Sequence, residues 1–313
     1  DASIVLGFLN PGYFAGGSVS LMPDLAEEVI RENIAIPLSM TVEQAALGIH
    51  RVVNAQMAEG MRQVSIRQGH DPRDFALVPL GGAGPVQGGA LAEVLSIITV
   101  IVPTHPGVLS AEGLLVAPIE HEVSIGFPRN LNDAAIDELR AAFERLDNQC
   151  TVLMNAEAKQ VDNIEVTHAV DICYVGQSHY LAISVDLNQP DTRVAMYSDF
   201  IQTHEQVFGY STESPARIVN LRSIHRSQGH ESGSTVVVEA PQDDPLKGQR
   251  RVVFDLDQVS EVDIFERRHI AVGGTVEGPA VIEQPDTTTV LYSNWSATVV
   301  ESGELILKKG TAS

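Results

Sequence analysis

The residues best placed for chemistry in this sequence form a glycine-rich turn within Leu77–Val94, "LVPLGGAGPVQGGALAEV". An apolar run leads into Gly81, Gly82, Ala83 and Gly84, and Pro85 then stands at a favourable first position of a helix. A turn of this kind points several backbone N–H groups outward at the start of a helix. Such donors suit a phosphate, a ribose or an oxyanion. The turn is therefore the first candidate binding site.

Two nucleotide motifs fit this turn poorly. The dinucleotide pattern G-x-G-x-x-G begins correctly at Gly82 and Gly84 but needs glycine where the chain has Gln87. An NAD-dependent dehydrogenase is therefore a weak hypothesis. The Walker pattern needs a Gly-Lys-Ser/Thr sequence, and no lysine lies near the turn. The structural alternative stays open, namely that the glycines only let a helix pack closely on a sheet.

Composition limits the classes of partner. The chain has 313 residues, with 41 acidic and 20 basic side chains, and its net charge is −21. This charge repels nucleic acid and anionic membranes. The longest apolar run, residues 94–103, is too short to cross a bilayer, and the N-terminus lacks the form of a signal peptide. We therefore expect a cytoplasmic protein, in which Cys150 and Cys173 are reduced, mostly buried thiols.

The elements around the turn follow from apolar periodicity. The pattern predicts helices over 24–34 and 41–68, the second opened by a Thr41–Gln44 capping box and closed by Gly69. One face of that second helix should be buried, and its apolar positions are Val42, Ala46, Ile49, Val53, Met57 and Val64. The runs "FALVPL" and "ITVIVP" on either side of the glycine turn predict a β-α-β unit with a parallel sheet.

The second half of the sequence is richer in strands. An amphipathic helix is expected over residues 133–157, strands dominate from Ile164, and one helix over 196–208 interrupts them. A strand is also expected over 234–240, followed by a mobile loop over 239–250 that is rich in proline, aspartate and glycine.

Several segments, in one order, resemble the hydantoinase A/5-oxoprolinase family, which includes N-methylhydantoinase-like proteins and ATP-binding subunits of acetone and acetophenone carboxylases. The glycine turn itself is similar to the adenosine-side motif of actin-like ATPases. The family resemblance extends over "TVEQAALGIH" through "GGAGP", then "VIVPTHPGVLSAEGLLVAPIEHE", "YVGQSHYL" and "GPAVIEQPDTTTVLYSNWSATVVESGELIL". It therefore covers nearly the whole chain.

The resemblance implies an α/β fold. Residues 1–130 would form the C-terminal part of an actin-like (ribonuclease H-like) domain, residues 131–245 an α+β region and residues 246–313 a β-rich C-terminal region. It also implies an ATP- and Mg²⁺-dependent opening of a cyclic amide such as a hydantoin or 5-oxoproline. Gly81, Gly82, Ala83 and Gly84 would then lie on the adenosine side of the nucleotide.

The resemblance further implies a B-type partner subunit, and a homo-oligomer is a second expectation. Two other functions remain open, a non-catalytic module that docks such a partner and a subunit of a ketone carboxylase. The sequence opens at Asp1 like the interior of a longer polypeptide, and it lacks the Asp-x-Gly-Gly-Thr turns with which actin-like ATPases hold phosphates. We therefore expect a C-terminal fragment that is inactive when isolated.

Catalytic residues are not identified by the sequence. His70, His105, His121 and Asp1 are weak candidates for metal ligands, since the three histidines fall at element ends near the turn and Asp1 matches a family aspartate. The family commonly has histidine at the position of Gln87 and aspartate at that of Pro118. Gln87 can form hydrogen bonds but cannot carry a proton near neutral pH, whereas the side chain of Pro118 does neither.

Overall fold

The computed structural model describes residues 1–157, 163–228 and 243–310. Contacts divide the chain into two compact units. The first contains residues 1–66 and 70–113 and the described part of 233–313, and the second contains residues 67–69 and 114–232. The sequence predicted three regions that follow one another along the chain. The two units differ from them because residues 243–310 pack with the first part of the chain. The predicted strand over 234–240 lies outside the described residues, and so does the first part of the predicted loop.

Both units combine helices with strands, as predicted for an α/β protein. The α-helices that begin in the described part of the first unit are α1 (Ala2–Val5), α2 (Pro23–Ile30), α3 (Ile36–Leu38), α4 (Val42–Arg67), α5 (Gly84–Leu95) and α6 (Leu109–Val116). A π-helical turn, Arg31–Ala35, joins α2 to α3. Short 3₁₀ turns lie at Phe14–Gly17 and Pro72–Asp74. The helices predicted over 24–34 and 41–68 are confirmed.

The predicted cap of α4 is present. The backbone N–H of Gln44 donates to Thr41 Oγ1 over 3.1 Å, and the Thr41 N–H donates to Gln44 Oε1 over 2.8 Å. Gly69, just beyond the helix, has the left-handed φ of 76° expected of a C-terminal residue.

The buried face of α4 differs from the predicted one. Val53 and Val64 are exposed, whereas His50 and Asn54 are buried. His50 and Asn54 are one helical turn apart, and Asn54 Nδ2 donates to the backbone oxygen of His50 over 2.9 Å, which helps a polar face to turn inward.

The first unit contains two four-stranded sheets. One has the antiparallel order β1 (Thr99–Val102), β12 (Leu305–Lys309), β11 (Trp295–Val299) and β8 (Thr275–Glu277). The other has the order β10 (Thr287–Leu291), β9 (Ala280–Gln284), β7 (Gln258–Glu266) and β6 (Leu246–Asp255), in which β7 and β9 are parallel. The sequence predicted a loop over residues 246–250, but these residues belong to β6.

The predicted parallel β-α-β unit is present only as a single bridge. The Leu77 N–H donates to Thr99 O over 3.0 Å and the Ile101 N–H donates to Leu77 O over 2.8 Å. The remaining pairing of β1 is antiparallel, with β12. The prediction of a parallel sheet buried on both faces is therefore wrong for this segment. Pro79 lacks an N–H group and cannot extend the ladder, and Val78 beside it is exposed.

Two hydrophobic cores support these elements. One includes Leu91, Val100, Trp295 and Leu307, contributed by α5, β1, β11 and β12. The other joins the N-terminal segment to α4, α5 and the second sheet, and it includes Leu6, Phe8, Leu47, Val86 and Val252. The side chains of α5 contribute to both cores, which fixes the helix that follows the glycine turn.

The second unit has its own antiparallel sheet in the order β2 (Glu120–Asn130), β5 (Ala216–Ser227), β3 (Ile164–Tyr174) and β4 (Leu181–Ser184). Its long helices are α7 (Ile136–Asn155) and α8 (Thr192–Phe208), close to their predicted ranges. Cys150 and Cys173 are free and buried, as expected. In the described part of the chain, no helix combines the length and apolarity needed to cross a membrane.

Candidate functional site

The glycine turn borders a cavity of about 290 Å³ in the first unit. The walls come from the N-terminal segment, the start of α5 and the hairpin between β9 and β10. The lining residues are Ser3, Leu9, Tyr13, Phe14, Ala15, Gly82, Ala83, Val86, Gln87, Gln284, Pro285, Asp286, Thr287 and Thr288. Sequence segments almost 290 positions apart thus form one concave site, the usual form of a small-molecule site.

The four residues of the predicted turn have different roles. Gly82 and Ala83 line the cavity. Gly81 has a φ of 84°, and its N–H donates to Pro106 O over 2.7 Å. A Cβ at Gly84 would lie 3.2 Å from the carbonyl carbon of Pro79. Gly81 and Gly84 are thus explained by backbone conformation and close packing, while Gly82 and Ala83 can meet a ligand.

The hairpin wall is held by a buried arginine. Arg267 Nη1 donates to Gln284 Oε1 over 2.6 Å and to Pro103 O over 2.7 Å, and burial lowers the Arg267 pKa to about 10. Gln284 Nε2 in turn donates to Asp286 Oδ1 over 2.6 Å. Asp286 Oδ2 accepts from the Gly107 N–H over 2.8 Å. The one carboxylate in the lining is therefore already hydrogen-bonded within the protein.

A cluster of buried charges lies behind Tyr13. The Tyr13 hydroxyl donates to Glu266 Oε2 over 2.8 Å, and burial together with this carboxylate raises the Tyr13 pKa to about 12. Lys247 Nζ lies 2.7 Å from Glu283 Oε2 and 3.2 Å from Glu266 Oε2. Arg250 Nη1 lies 2.8 Å from Glu283 Oε1. Burial raises the Glu283 pKa, but hydrogen bonds from Lys247 and Arg250 outweigh it and hold the carboxyl below its usual range.

The cavity rests on a buried polar group from α4, α5 and the end of β10. Asn54 Nδ2 lies 2.9 Å from Gln87 Oε1 and 3.1 Å from His50 Nε2. The His50 ring nitrogen is also 3.4 Å from the Tyr292 hydroxyl. Burial, with a smaller effect from Arg51, lowers the His50 pKa to about 4. His50 is therefore neutral near pH 7 and accepts hydrogen bonds at Nε2.

The weak metal candidates are engaged separately. His105 Nδ1 bonds Glu112 over 2.9 Å in the first unit, and His121 Nε2 bonds Glu157 over 2.6 Å in the second. His70 packs against Phe75 with ring centroids 5.6 Å apart. Asp1 is exposed at the start of α1. Within residues 1–157, 163–228 and 243–310, no group of three His, Cys, Asp or Glu side chains is arranged to hold a metal ion.

The second unit has a separate, more open cavity of about 500 Å³ beside Asp147 and His168. Asp147 Oδ1 accepts from Ser223 Oγ over 2.6 Å and from His168 Nε2 over 2.9 Å. These bonds tie α7 to β3 and β5. The Asp147 side chain is thus occupied in joining elements, so the cavity of the first unit is the better candidate.

Charge and shape define what the first cavity can hold. Among the described residues that line it, none is lysine, arginine or histidine. The lining combines apolar side chains, including Leu9, Phe14 and Val86, with a few polar groups, of which Asp286 is a carboxylate. A neutral, flat ring with hydrogen-bonding edges suits such walls, whereas a phosphate group would find no cation there.

Sequence reasoning identified Gly82, Ala83 and Gln87 but missed the rest of the site. A signal existed for two of the missed residues, since His50 and Asn54 stand at positions i and i+4 of a predicted helix. No comparable local signal identifies Tyr13, Gln284 or Arg267, because their relation to the glycine turn depends on the packing of distant segments.

Comparison with protein families gives two matches that together span nearly the whole chain. Residues 1–123 match a family model described as hydantoinase/oxoprolinase. Residues 127–309 match the hydantoinase/oxoprolinase C-terminal domain. The resemblance found in the sequence motifs is thereby confirmed.

Individual relatives are longer than this chain. The caprolactamase subunit alpha of Pseudomonas jessenii is 32% identical over 99% of this chain and 46% of its own length. The acetone carboxylase beta subunit of Xanthobacter autotrophicus is 27% identical over 94% of this chain and 44% of its own. The crystal structure of the ATP-dependent caprolactamase from P. jessenii matches with a TM-score of 0.85 at 30% identity, covering 99% of this chain and 46% of that one. The chain thus spans about half the length of these relatives.

Proposed function

Because this chain belongs to the hydantoinase/oxoprolinase family, we propose that it carries the adenosine side of the nucleotide site in an ATP-dependent hydrolase of cyclic amides. The single observation that supports this most is the cavity bordered by Gly82 and Ala83, whose one described carboxylate, Asp286, is hydrogen-bonded within the protein. We propose that it takes the base and the ribose, which are uncharged. The description of the similar caprolactamase as ATP-dependent supports the choice of nucleotide.

The proposal covers the nucleoside and not the phosphates. The lining offers no cation, and the described residues offer no metal cluster. We therefore assign neither the phosphates nor Mg²⁺ to residues of this chain. ATP, when bound, would supply the phosphoryl group that activates the amide carbonyl. The residues of this chain would bind the base, orient the ribose and exclude water from that part of the site.

We propose a cyclic amide as substrate because the more similar of the two relatives is a caprolactamase subunit, and caprolactam is a cyclic amide. A ketone carboxylase is the second candidate, favoured by the similarity to the acetone carboxylase subunit. Both relatives are named as subunits, which supports a partner chain, and we propose a B-type subunit. We also propose a cytoplasmic location and an actin-like fold for the nucleotide-binding region.

Calorimetric titration of ADP into the full-length product of the gene tests the nucleotide site. Ala83→Leu adds three carbon atoms at the cavity wall and should weaken ADP binding at least tenfold. Ala55→Leu, on an exposed position of α4, is the matched control and should bind ADP like the parent. Equal ADP affinity in both variants would place the nucleotide elsewhere.

The substrate is tested by ATP hydrolysis in the presence of the partner subunit. We expect stimulation by caprolactam, hydantoin or 5-oxoproline and none by acetone. Stimulation by acetone with bicarbonate, and by no cyclic amide, would favour the ketone carboxylase instead.

A further inference from the structure

We propose that Gln87 is the residue that reads the adenine base, by donating its side-chain N–H to a ring nitrogen, and that Asn54 positions it for this task. This inference rests on the proposed nucleotide site. It concerns the side-chain amide of Gln87, which lines the cavity.

The orientation of the Asn54 amide is fixed by a group that cannot donate. Asn54 Nδ2 lies 2.9 Å from the backbone oxygen of His50, and a carbonyl oxygen can only accept. If the amide were reversed, Asn54 Oδ1 would face this oxygen at the same short distance, and Nδ2 would occupy a buried position without an acceptor. In the observed orientation only Oδ1 lacks a partner among the described residues. The observed orientation thus leaves one acceptor unsatisfied. The reversed orientation would leave a donor unsatisfied and would also bring two oxygen atoms into repulsive contact.

The orientation of Asn54 determines that of Gln87. Asn54 Nδ2 donates to Gln87 Oε1 over 2.9 Å, so the oxygen of the Gln87 amide faces α4. The Gln87 NH₂ group must then lie on the other side of the amide. Gln87 is half-buried and lines the cavity. Gln87 therefore presents its NH₂ group, a hydrogen-bond donor, to the cavity, and not its oxygen.

The neighbouring ring strengthens this assignment. The two hydrogens of Asn54 Nδ2 go to His50 O and Gln87 Oε1, each 2.9 Å away, so the Tyr292 hydroxyl, 3.4 Å from His50 Nε2, is the donor to the ring. Because the buried His50 ring stays neutral, with its pKa near 4, Nε2 remains an acceptor at physiological pH. A protonated ring would instead place a second donor 3.1 Å from Asn54 Nδ2.

The walls beside Gln87 favour the base over the ribose as its partner. Val86, Leu9 and Phe14 are apolar and line the same cavity. Such side chains suit the faces of a purine, whose ring nitrogens carry lone pairs in the ring plane. An N–H donor among apolar lining residues therefore suits a ring nitrogen as its acceptor.

The test uses ADP and its 1-deaza, 3-deaza and 7-deaza analogues, each titrated into the full-length protein. Each analogue replaces one ring nitrogen by C–H and so removes one acceptor. We expect one analogue to bind about 3- to 10-fold more weakly than ADP, the effect of one neutral hydrogen bond. Gln87→Met, which keeps the length of the side chain without the amide, should bind ADP and that analogue equally. Gln63→Met, on an exposed position of α4, should keep the parent's preference.

Asn54→Asp tests the positioning role. Its carboxylate can only accept, so the Gln87 amide should reverse and present its oxygen to the cavity. The preference for ADP over the affected analogue should then disappear, although Gln87 itself is unchanged. A general loss of stability would weaken all four ligands together and would not remove the preference.

The outcomes separate this inference from the proposed function. If ADP and the three analogues bind the parent equally, or if the preference survives in Gln87→Met, the reading of the base by Gln87 is overturned while the nucleotide site stands. If the preference is lost in Gln87→Met but kept in Asn54→Asp, the positioning role of Asn54 is overturned. If the parent does not bind ADP at all, the proposed function fails and this inference fails with it.

Discussion

The buried His50 makes the stability of the first unit depend on pH. Its pKa is lowered to about 4 in the folded chain, whereas an unfolded histidine has a pKa of about 6.5. Above pH 6.5 the ring is neutral in both states, so His50 causes no pH dependence. As the pH falls below 6.5, the unfolded chain binds a proton that the folded chain does not. Stability therefore decreases as the pH falls from about 6.5 to about 4.

The size of this effect follows from the difference in pKa. A difference of about 2.5 units corresponds to about 3 kcal/mol when the pH lies below both pKa values, and to about 2 kcal/mol between pH 7 and pH 5. His50→Gln keeps a side chain that can accept from Tyr292 but does not titrate. The loss of stability between pH 7 and pH 5 should be smaller by about 2 kcal/mol in this variant.

Urea denaturation at pH 7 and pH 5 measures the difference. Trp295 is the only tryptophan of this sequence and is buried in the same unit as His50, so its fluorescence follows the relevant unfolding. His70→Gln makes the same substitution at an exposed position of that unit and should leave the pH dependence unchanged. If His50→Gln lost as much stability between pH 7 and pH 5 as the parent, the assignment of a buried neutral imidazole would be refuted.

Four further predictions concern stability and use the same assay. Arg250→Met should cost about 1–3 kcal/mol, because the fully buried Glu283 loses one of two cations and keeps Lys247. Arg51→Met, which removes an exposed ion pair, should cost less than about 1 kcal/mol, and equal losses in these two variants would contradict the importance of burial. Gly81→Ala should destabilise by about 1–2 kcal/mol because its φ is 84°, whereas Gly60→Ala, at an exposed position in open space within α4, should stabilise by up to about 1 kcal/mol. A stabilising Gly81→Ala would mean that the turn relaxes to another conformation.

Parts of the site could be predicted because their causes are local. The capping box of α4 depends on residues three positions apart, Thr41 and Gln44, and the position of Gly69 follows from the end of the same helix. The glycine turn was found for the same reason. The resemblance to the family was also a property of sequence, since several motifs follow one another in a fixed order.

The predicted metal ligands show what could not be inferred from neighbouring residues alone. His105 and His121 stand at element ends, but each faces its own carboxylate, Glu112 and Glu157 respectively. The parallel strand expected over residues 75–80 was limited to one bridge at Leu77. An apolar run predicts that a segment is buried, but which edge it pairs with depends on partners that are distant in the sequence.

The sequence by itself thus determined the family, the helices and the turn at which a ligand can approach the backbone. Only the tertiary structure decided what that turn faces. The cavity combines Tyr13, Gln87 and Gln284, and its floor combines α4 with Tyr292, 242 positions beyond His50. Hydrogen bonds and caps within one helical turn are fixed by neighbouring residues, whereas the charge and donor pattern of this cavity depend on the packing of the N-terminal segment, α5 and the β9–β10 hairpin. A donor at Gln87 is therefore a property of the fold, because Asn54 orients it from another helix.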